Sequence, residues 1–387
     1  MKRINSIDFV RGLVMVIMAL DHIRDLMHTT SLIEDPTNLA TTTPILFFTR
    51  WITHLCAPTF VLLSGTSAYF SLKNSQSVAE SRKFLLTRGL WLIVLEFTII
   101  NFGIWFNIHF DLLMQQVICA IGGGLIILAL LLTLPARTIG VIGLVIIVGH
   151  NLLDGLQLST SPLLEKAFFV LFRPRLFPVT SNLQFLVSYP IVPWAAILLA
   201  GFACGKLFEM PDEQRKKLFL RIGLASLFLF SLLRFSNLYG DPVKWTVQQT
   251  GLFTFLSFIN VTKYPPSLLF VLVTLGITFR VLSFMDGVKN RFTGIISVYG
   301  KVPLFYYLIH WYVVHGLMFA MVFLQGFGIQ DLQFGAFNFG RPRTGTGVEL
   351  PMIYLIWFCV VASLYPLCKW YGRYKETHRD NKLLRYL

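Results

Sequence analysis

Charge is scarce in this sequence. Of its 387 residues only 13% are charged and 55% are hydrophobic, where a soluble globular domain would carry roughly 25% charged residues. That excludes an ordinary cytosolic enzyme. Cysteine is sparse as well: Cys56, Cys119, Cys204 and Cys359 lie in apolar runs and Cys368 at the end of one. No CxxC or other ligand spacing links them, so they read as packing residues and no metal site is expected. GxSxG, HExxH and P-loop patterns are absent, which removes support for a hydrolase, a zinc protease or an NTPase. Internal repeats are absent too, which disfavours the repeat-built transporters. The alternating segments of a β-barrel are missing, because runs such as "GLIILALLLTL" and "GVIGLVIIVG" do not alternate.

What the sequence has instead is long apolar runs. At about 20 residues per membrane crossing, they predict an all-α polytopic membrane protein, a single domain over residues 1–387 with about ten transmembrane helices. The windows fall at roughly 6–28, 44–72, 84–107, 112–134, 138–156, 186–208, 215–237, 264–285, 294–323 and 349–370. The basic, apolar N-terminus lacks a small-residue cleavage site and reads as a retained first span. Acid is the scarcer sign of charge, with 19 Asp and Glu against 33 Lys and Arg. Threaded through ten spans, 22 of those 33 basic residues fall on the side of the termini and nine on the other, with Arg11 and Arg50 inside helices. The positive-inside rule then puts both termini in the cytoplasm and makes the basic excess a topology signal, not a nucleic-acid footprint. The polar stretch at 157–185 is expected to lie on the outer surface as an interfacial segment.

Against this apolar background the ionisable residues stand out. With a rise of about 1.5 Å per residue, Asp21, His22, Arg24, Asp25 and His28 reach the outer third of the first span. Arg50 and His54 reach a similar level in the second, and His310 in the ninth. Asp8, Arg11, His22 and Asp25 share a sector of about 100° on one helix face. Intramembrane ionisable groups face a cavity or one another, and a histidine beside a carboxylate suits general-base chemistry. The predicted catalytic group is therefore His22, with Asp21 or Asp25 as the paired carboxylate. Arg50, His54 and His310 are the candidate oxyanion or acceptor-site residues.

Six blocks in order, "RINSIDFVRGLVMVIMALDH", "RWITHLCAPTFVLLSGTSAYF", "YPIVPWAAILLAGFACGKLF", "TKYPPSLLFVLVTLG", "YGKVPLFYYLIHWYVVHGL" and "YPLCKWYGRYKE", resemble the bacterial branch of the heparan-α-glucosaminide N-acetyltransferase family. Arg11 and His22, with ten residues between them, are also similar to the Arg-x10-His motif of the broader transmembrane acyltransferases. The resemblance implies transfer of an acetyl group from cytoplasmic acetyl-CoA to an amine or hydroxyl of a sugar or glycoconjugate across the bilayer. A histidine on the outer side of the first span would be essential, His22 or, since the family's histidine lies further past the Arg-Gly pair, His28, and the setting would be a bacterial inner membrane. Arg11, Arg82, Lys83, Arg88 and Lys301 would meet the phosphates of the co-substrate. A proton-coupled transporter or exporter of a small or lipid-linked solute is the alternative, and assembly as a homodimer stays open.

Overall fold

An apolar medium offers the backbone no hydrogen-bond partner, so a chain this rich in apolar runs satisfies its amides internally, in helices. A computed structural model describes residues 4–155, 161–378, 380, 381 and 384. In chain order the elements are α1 (Asn5–Met27), α2 (Pro44–Ile52), α3 (Cys56–Lys73), α4 (Val78–Leu95), α5 (Asn101–Trp105), β1 (Leu112–Gln115), α6 (Val117–Leu131), α7 (Ala136–Gly149), α8 (Pro162–Phe172), β2 (Arg175–Pro178), β3 (Gln184–Val187), α9 (Ile191–Gly205), α10 (Asp212–Ser236), α11 (Gly251–Ile259), α12 (Leu268–Met285), α13 (Arg291–Lys301), α14 (Pro303–Leu324) and α15 (Leu350–Thr377). A 3-10 turn, Thr53–Leu55, joins α2 to α3, and a π-helical turn, Glu96–Ile100, joins α4 to α5.

Among the described residues eight helical stretches are long and apolar enough to cross a membrane. The protein is a helical, polytopic membrane protein. The 15-residue α6, and α1 with its charged Asp8, Arg11, Asp21, Arg24 and Asp25, stand where the sequence predicts the fourth and first spans. Several expected boundaries change. The single span expected at 294–323 is two helices, because Pro303 has no amide hydrogen to continue α13 and instead opens α14. The span expected from 112 begins as strand β1 and turns helical only at Val117. The expected interfacial segment contains α8, none of whose residues is buried, and the antiparallel β2–β3 pair, with Arg175 opposite Val187. Residues 156–160 lie outside the described residues.

The chain divides into two compact units: Met1–Cys56 with Thr98–Leu112 and Val288–Leu387, and Ala57–Phe97 with Leu113–Gly287. In the first, α1 packs against α13, α14 and α15. The α1–α13 crossing is so close that a Cβ on Gly12 would lie 2.0 Å from the Ile296 carbonyl oxygen, and one on Gly300 would lie 1.9 Å from that of Asp8. In the second unit α4 packs on α6, α7 on α9 and α10 on α12. Small residues let membrane helices approach in this way, where dispersion and weak polar contacts replace the hydrophobic effect.

The α1–α13 crossing sets the first expected outcome. Gly300→Ala forces backbone apart and should destabilise the detergent-solubilised protein by about 1–3 kcal/mol or more. Gly316→Ala, on α14 with nothing within 4 Å of the added carbon, should be neutral or stabilising by up to about 1 kcal/mol. Thermal unfolding of the two variants checks this, and equal melting temperatures would reject the close crossing.

Candidate active site

Every histidine and carboxylate that the sequence singles out for catalysis belongs to the first unit, and α1 carries most of them. Most of α1 is buried, Asp8, Asp21 and Arg24 included, while Arg11, His22 and Asp25 are partly exposed, so its polar side chains find partners on α1 itself or on a neighbouring helix.

His22 finds His310. The Nδ1 of His22 lies 2.6 Å from the Nε2 of His310, and the two rings stack with centroids 4.9 Å apart. The tautomers follow from the next link in the chain. His310 Nδ1 sits 3.1 Å from the Tyr306 carbonyl oxygen, which can only accept, so Nδ1 carries the proton and Nε2 presents a lone pair. His22 must therefore donate from Nδ1, which leaves the basic lone pair of its imidazole on Nε2. Trp311 stacks on the other partner of this pair, with its ring centroid 3.9 Å from that of His22, and Tyr307 meets His22 edge-on at 6.4 Å. His310 and Trp311 are buried, and α14 presents both because residues 306, 307, 310 and 311 repeat at the i, i+3 and i+4 spacing of one helix face.

The carboxylates do something else. Asp21 accepts from Arg24 at 2.9 Å and from Arg50 of α2 at 3.0 Å, and Arg50 also donates to the Thr53 hydroxyl at 2.8 Å. Arg24 bonds Asp25 through the same Nη2 that it extends to Asp21. The sequence expects His22 to pair with Asp21 or Asp25; the hydrogen bond seen at His22 is to His310, and both carboxylates bond arginines. For Asp21 the reason is angular. Adjacent helix residues diverge by about 100°, so Asp21 turns toward α2 while His22 turns toward α14.

The other candidates distribute as follows. His28 caps α1, its Nδ1 accepting from the Thr30 amide at 3.4 Å and lying 3.2 Å from the Thr30 hydroxyl. His54 is buried in the 3-10 turn that packs on α1. Arg11 donates to the Gly300 carbonyl at 3.3 Å and lies 3.8 Å from Asp8, beside the α1–α13 crossing. Lys301 is exposed at the end of α13. Arg82, Lys83 and Arg88 belong to the second unit, where Arg82 Nε donates to the Ala129 carbonyl at 3.1 Å and Lys83 is exposed. Among the described residues no group of three or more His, Cys, Asp or Glu is placed to hold a metal ion.

Three residues gain importance that sequence reasoning did not give them. Trp311 covers the His22 ring. Glu96, fully buried in the π-helical turn of the second unit, accepts the Cys119 amide at 2.8 Å. Its signal was a lone acid within the apolar run Leu90–Trp105. Arg341, fully buried in the loop before α15, donates to the Leu26 and His28 carbonyls at 3.0 and 2.9 Å. Nothing in the sequence separates it from its exposed neighbour Arg343.

The ion-pair geometry yields a second expected outcome. Asp21→Asn removes the carboxylate that the buried Arg24 and the half-buried Arg50 share, leaving Arg24 to Asp25 and Arg50 to Thr53, and should cost about 3 kcal/mol of stability. Asp25→Asn, at a side chain 42% exposed, should cost less than about 1 kcal/mol. Unfolding of both variants in detergent micelles measures the contrast, and an equal loss would refute Asp21 as the shared counter-ion.

Comparison with known proteins bears on what this site serves. A search of curated proteins finds no match. The family model described as heparan-alpha-glucosaminide N-acetyltransferase, catalytic, matches residues 3–236. The match contains α1 with Asp21, His22, Asp25 and His28, and the Arg50–His54 segment, and stops before α14. Since it covers more than half of the chain, this polytopic membrane protein belongs to the heparan-α-glucosaminide N-acetyltransferase family, and its general activity is that of an acetyltransferase.

Proposed function

We propose that the protein takes an acetyl group from cytoplasmic acetyl-CoA and delivers it to an amine or hydroxyl of a sugar or glycoconjugate on the outer side of a bacterial inner membrane. The observation that carries this function is the chain Tyr306 carbonyl, His310, His22. It fixes both tautomers and makes His22 Nε2 a directed base, the arrangement that general-base acyl transfer requires. The positive-inside distribution of Lys and Arg, with both termini cytoplasmic, supports an outward-facing end of α1.

The proposed role of His22 is to remove the proton of the acceptor amine or hydroxyl as its nitrogen or oxygen bonds to the acetyl carbonyl carbon. His310 Nε2 accepts from His22 Nδ1–H throughout, and stabilises the imidazolium that forms. When the tetrahedral centre collapses, its carbon–sulfur bond breaks, and His22 returns the proton to the departing sulfur. The acetyl carbonyl oxygen needs a donor while it bears negative charge. Arg50 turns its Nη1 to Asp21 and Thr53, whereas the Trp311 indole N–H is buried without an acceptor, in the ring that covers His22. Trp311 is therefore the favoured oxyanion donor, with His54 as the other candidate. Acetyl-CoA supplies the activated carbonyl. Its phosphates call for cations on the cytoplasmic side, and either Arg11 with the exposed Lys301 in the first unit, or Arg82 and Arg88 with the exposed Lys83 in the second, are the residues of this chain proposed to bind them.

Acetyl transfer in membranes from radiolabelled acetyl-CoA to amino sugars tests the proposal. His22→Ala and His310→Ala should each lower kcat by about 10²–10⁴-fold, the range of a lost general base, while His28→Ala should keep most activity. Full activity of His22→Ala would overturn the assignment. Trp311→Phe keeps a ring over His22 but removes the unpaired N–H. It should lower kcat by about 10²-fold and leave the melting temperature unchanged or raised, because an unsatisfied buried donor is lost. Unaltered kcat in that variant would remove Trp311 from the mechanism.

A further inference from the structure

The His22–His310 bond joins two helices, α1 and α14, whose relative placement a hydrogen bond of 2.6 Å cannot set alone. A second connection between the same helices lies in the loop after α14. On one side of it, His315 of α14 donates from Nε2 to the Phe339 carbonyl oxygen at 2.8 Å, with the imidazole stacked on Phe106 at a centroid distance of 4.1 Å. On the other, Arg341 reaches the end of α1. Its Nη1 donates to the Leu26 and His28 carbonyl oxygens at 3.0 and 2.9 Å. Its Nε and Nη2 hold the loop itself, through the Thr346 hydroxyl at 2.8 Å and the Thr346 carbonyl at 2.6 Å.

Only Gly340 separates the two contacts. Phe339 and Gly340 adopt φ of 56° and 77°, a left-handed pair that few sequences tolerate, and that turns Phe339 toward α14 and Arg341 toward α1. The carbonyls at Leu26 and His28 are among those that the end of a helix leaves without an intrahelical partner, so a buried guanidinium there satisfies α1 and fixes where it stops. Val348 adds a main-chain bridge, donating to Met27 at 2.8 Å and accepting from Thr29 at 3.2 Å.

We propose, building on the acetyl-transfer function above, that Phe339–Gly340–Arg341 is a clamp that holds α1 against α14 at the separation the His22–His310 pair needs, with Arg341 and His315 as positioning residues. Neither touches the acceptor. Both act by keeping the base and its partner in register, where a misplacement of about 1 Å lowers a rate by roughly 10²-fold.

The test compares Arg341→Met, His315→Leu and the double variant in the membrane acetyl-transfer assay, with His22→Ala as reference and the exposed Arg343→Gln as loop control. Arg341→Met and His315→Leu should each lower kcat by roughly 10- to 100-fold and change the KM for acetyl-CoA less than about twofold. The double variant should lose no more than the worse single variant, since one clamp can be released only once. His315→Gln, whose amide N–H can still donate to Phe339, should recover most of kcat. Additive losses, or a KM rising in step with the fall in kcat, would overturn the clamp in favour of general destabilisation. If Arg341→Met does not fold, the His315→Leu and His315→Gln pair decides alone, and wild-type kcat in His315→Leu overturns the clamp. An inactive His22→Ala beside fully active clamp variants defeats the clamp only, whereas an active His22→Ala defeats the acetyl-transfer function itself.

Discussion

A polar side chain placed in hydrocarbon must be answered by another, and α1 carries Asp8, Arg11, Asp21, His22, Arg24 and Asp25 along one helix. In the first unit each of them has a partner close by. Arg11 meets Asp8 and the Gly300 carbonyl, Asp21 meets Arg24 and Arg50, Asp25 meets Arg24, and His22 meets His310. This obligation explains why α1 is enclosed on nearly all sides, by α13 and α14 and α15, and why glycines line its tightest crossing. The site is a product of the same constraint. A helix that could not be exposed to lipid had to be surrounded, and the groups that surround it became its chemical environment.

The helical fold was legible in the sequence, and the residues now proposed for the site stood out in it, because apolar length and rare intramembrane charge are strong local signals. Asp21, His22, Arg50 and His310 all declared themselves by their cost in hydrocarbon. What was not legible was who pairs with whom. Shared depth says that His22, Asp21, Asp25, Arg50 and His310 lie at one level, and chemical habit then favours a histidine–carboxylate pair. The actual pairing depends on the angles at which helices cross, and no single sequence states them. The same limit hides Arg341: its role lies in bonding carbonyls 313 and 315 residues away, and its neighbours Gly340 and Pro342 mark only a turn.

Helix breaks were read less well for a related reason. An apolar window predicts that a segment is buried in the bilayer, but not that it stays helical. Pro303 lies inside the apolar window 294–323, and the geometry at Val302 (φ −133°, ψ 50°) shows two separate helices. That break matters to the site, because α14 begins anew at Pro303 and can set His310 and Trp311 toward α1 independently of how α13 packs on Gly12.

Dividing labour between adjacent residues also has a chemical logic. A carboxylate beside His22 would stabilise the imidazolium strongly, but in a medium of low dielectric it would bring a full negative charge to the reacting centre before any proton moves. The His310 partner is neutral in the resting state and still offers a lone pair when His22 becomes cationic, so the pair favours the protonated state without requiring a standing charge. Asp21 and Asp25 spend their charge on Arg24 and Arg50. The cluster is therefore charged where it holds helices together and neutral where it would move a proton. For a base that must take up a proton and return it within one turnover, that separation is the more useful arrangement.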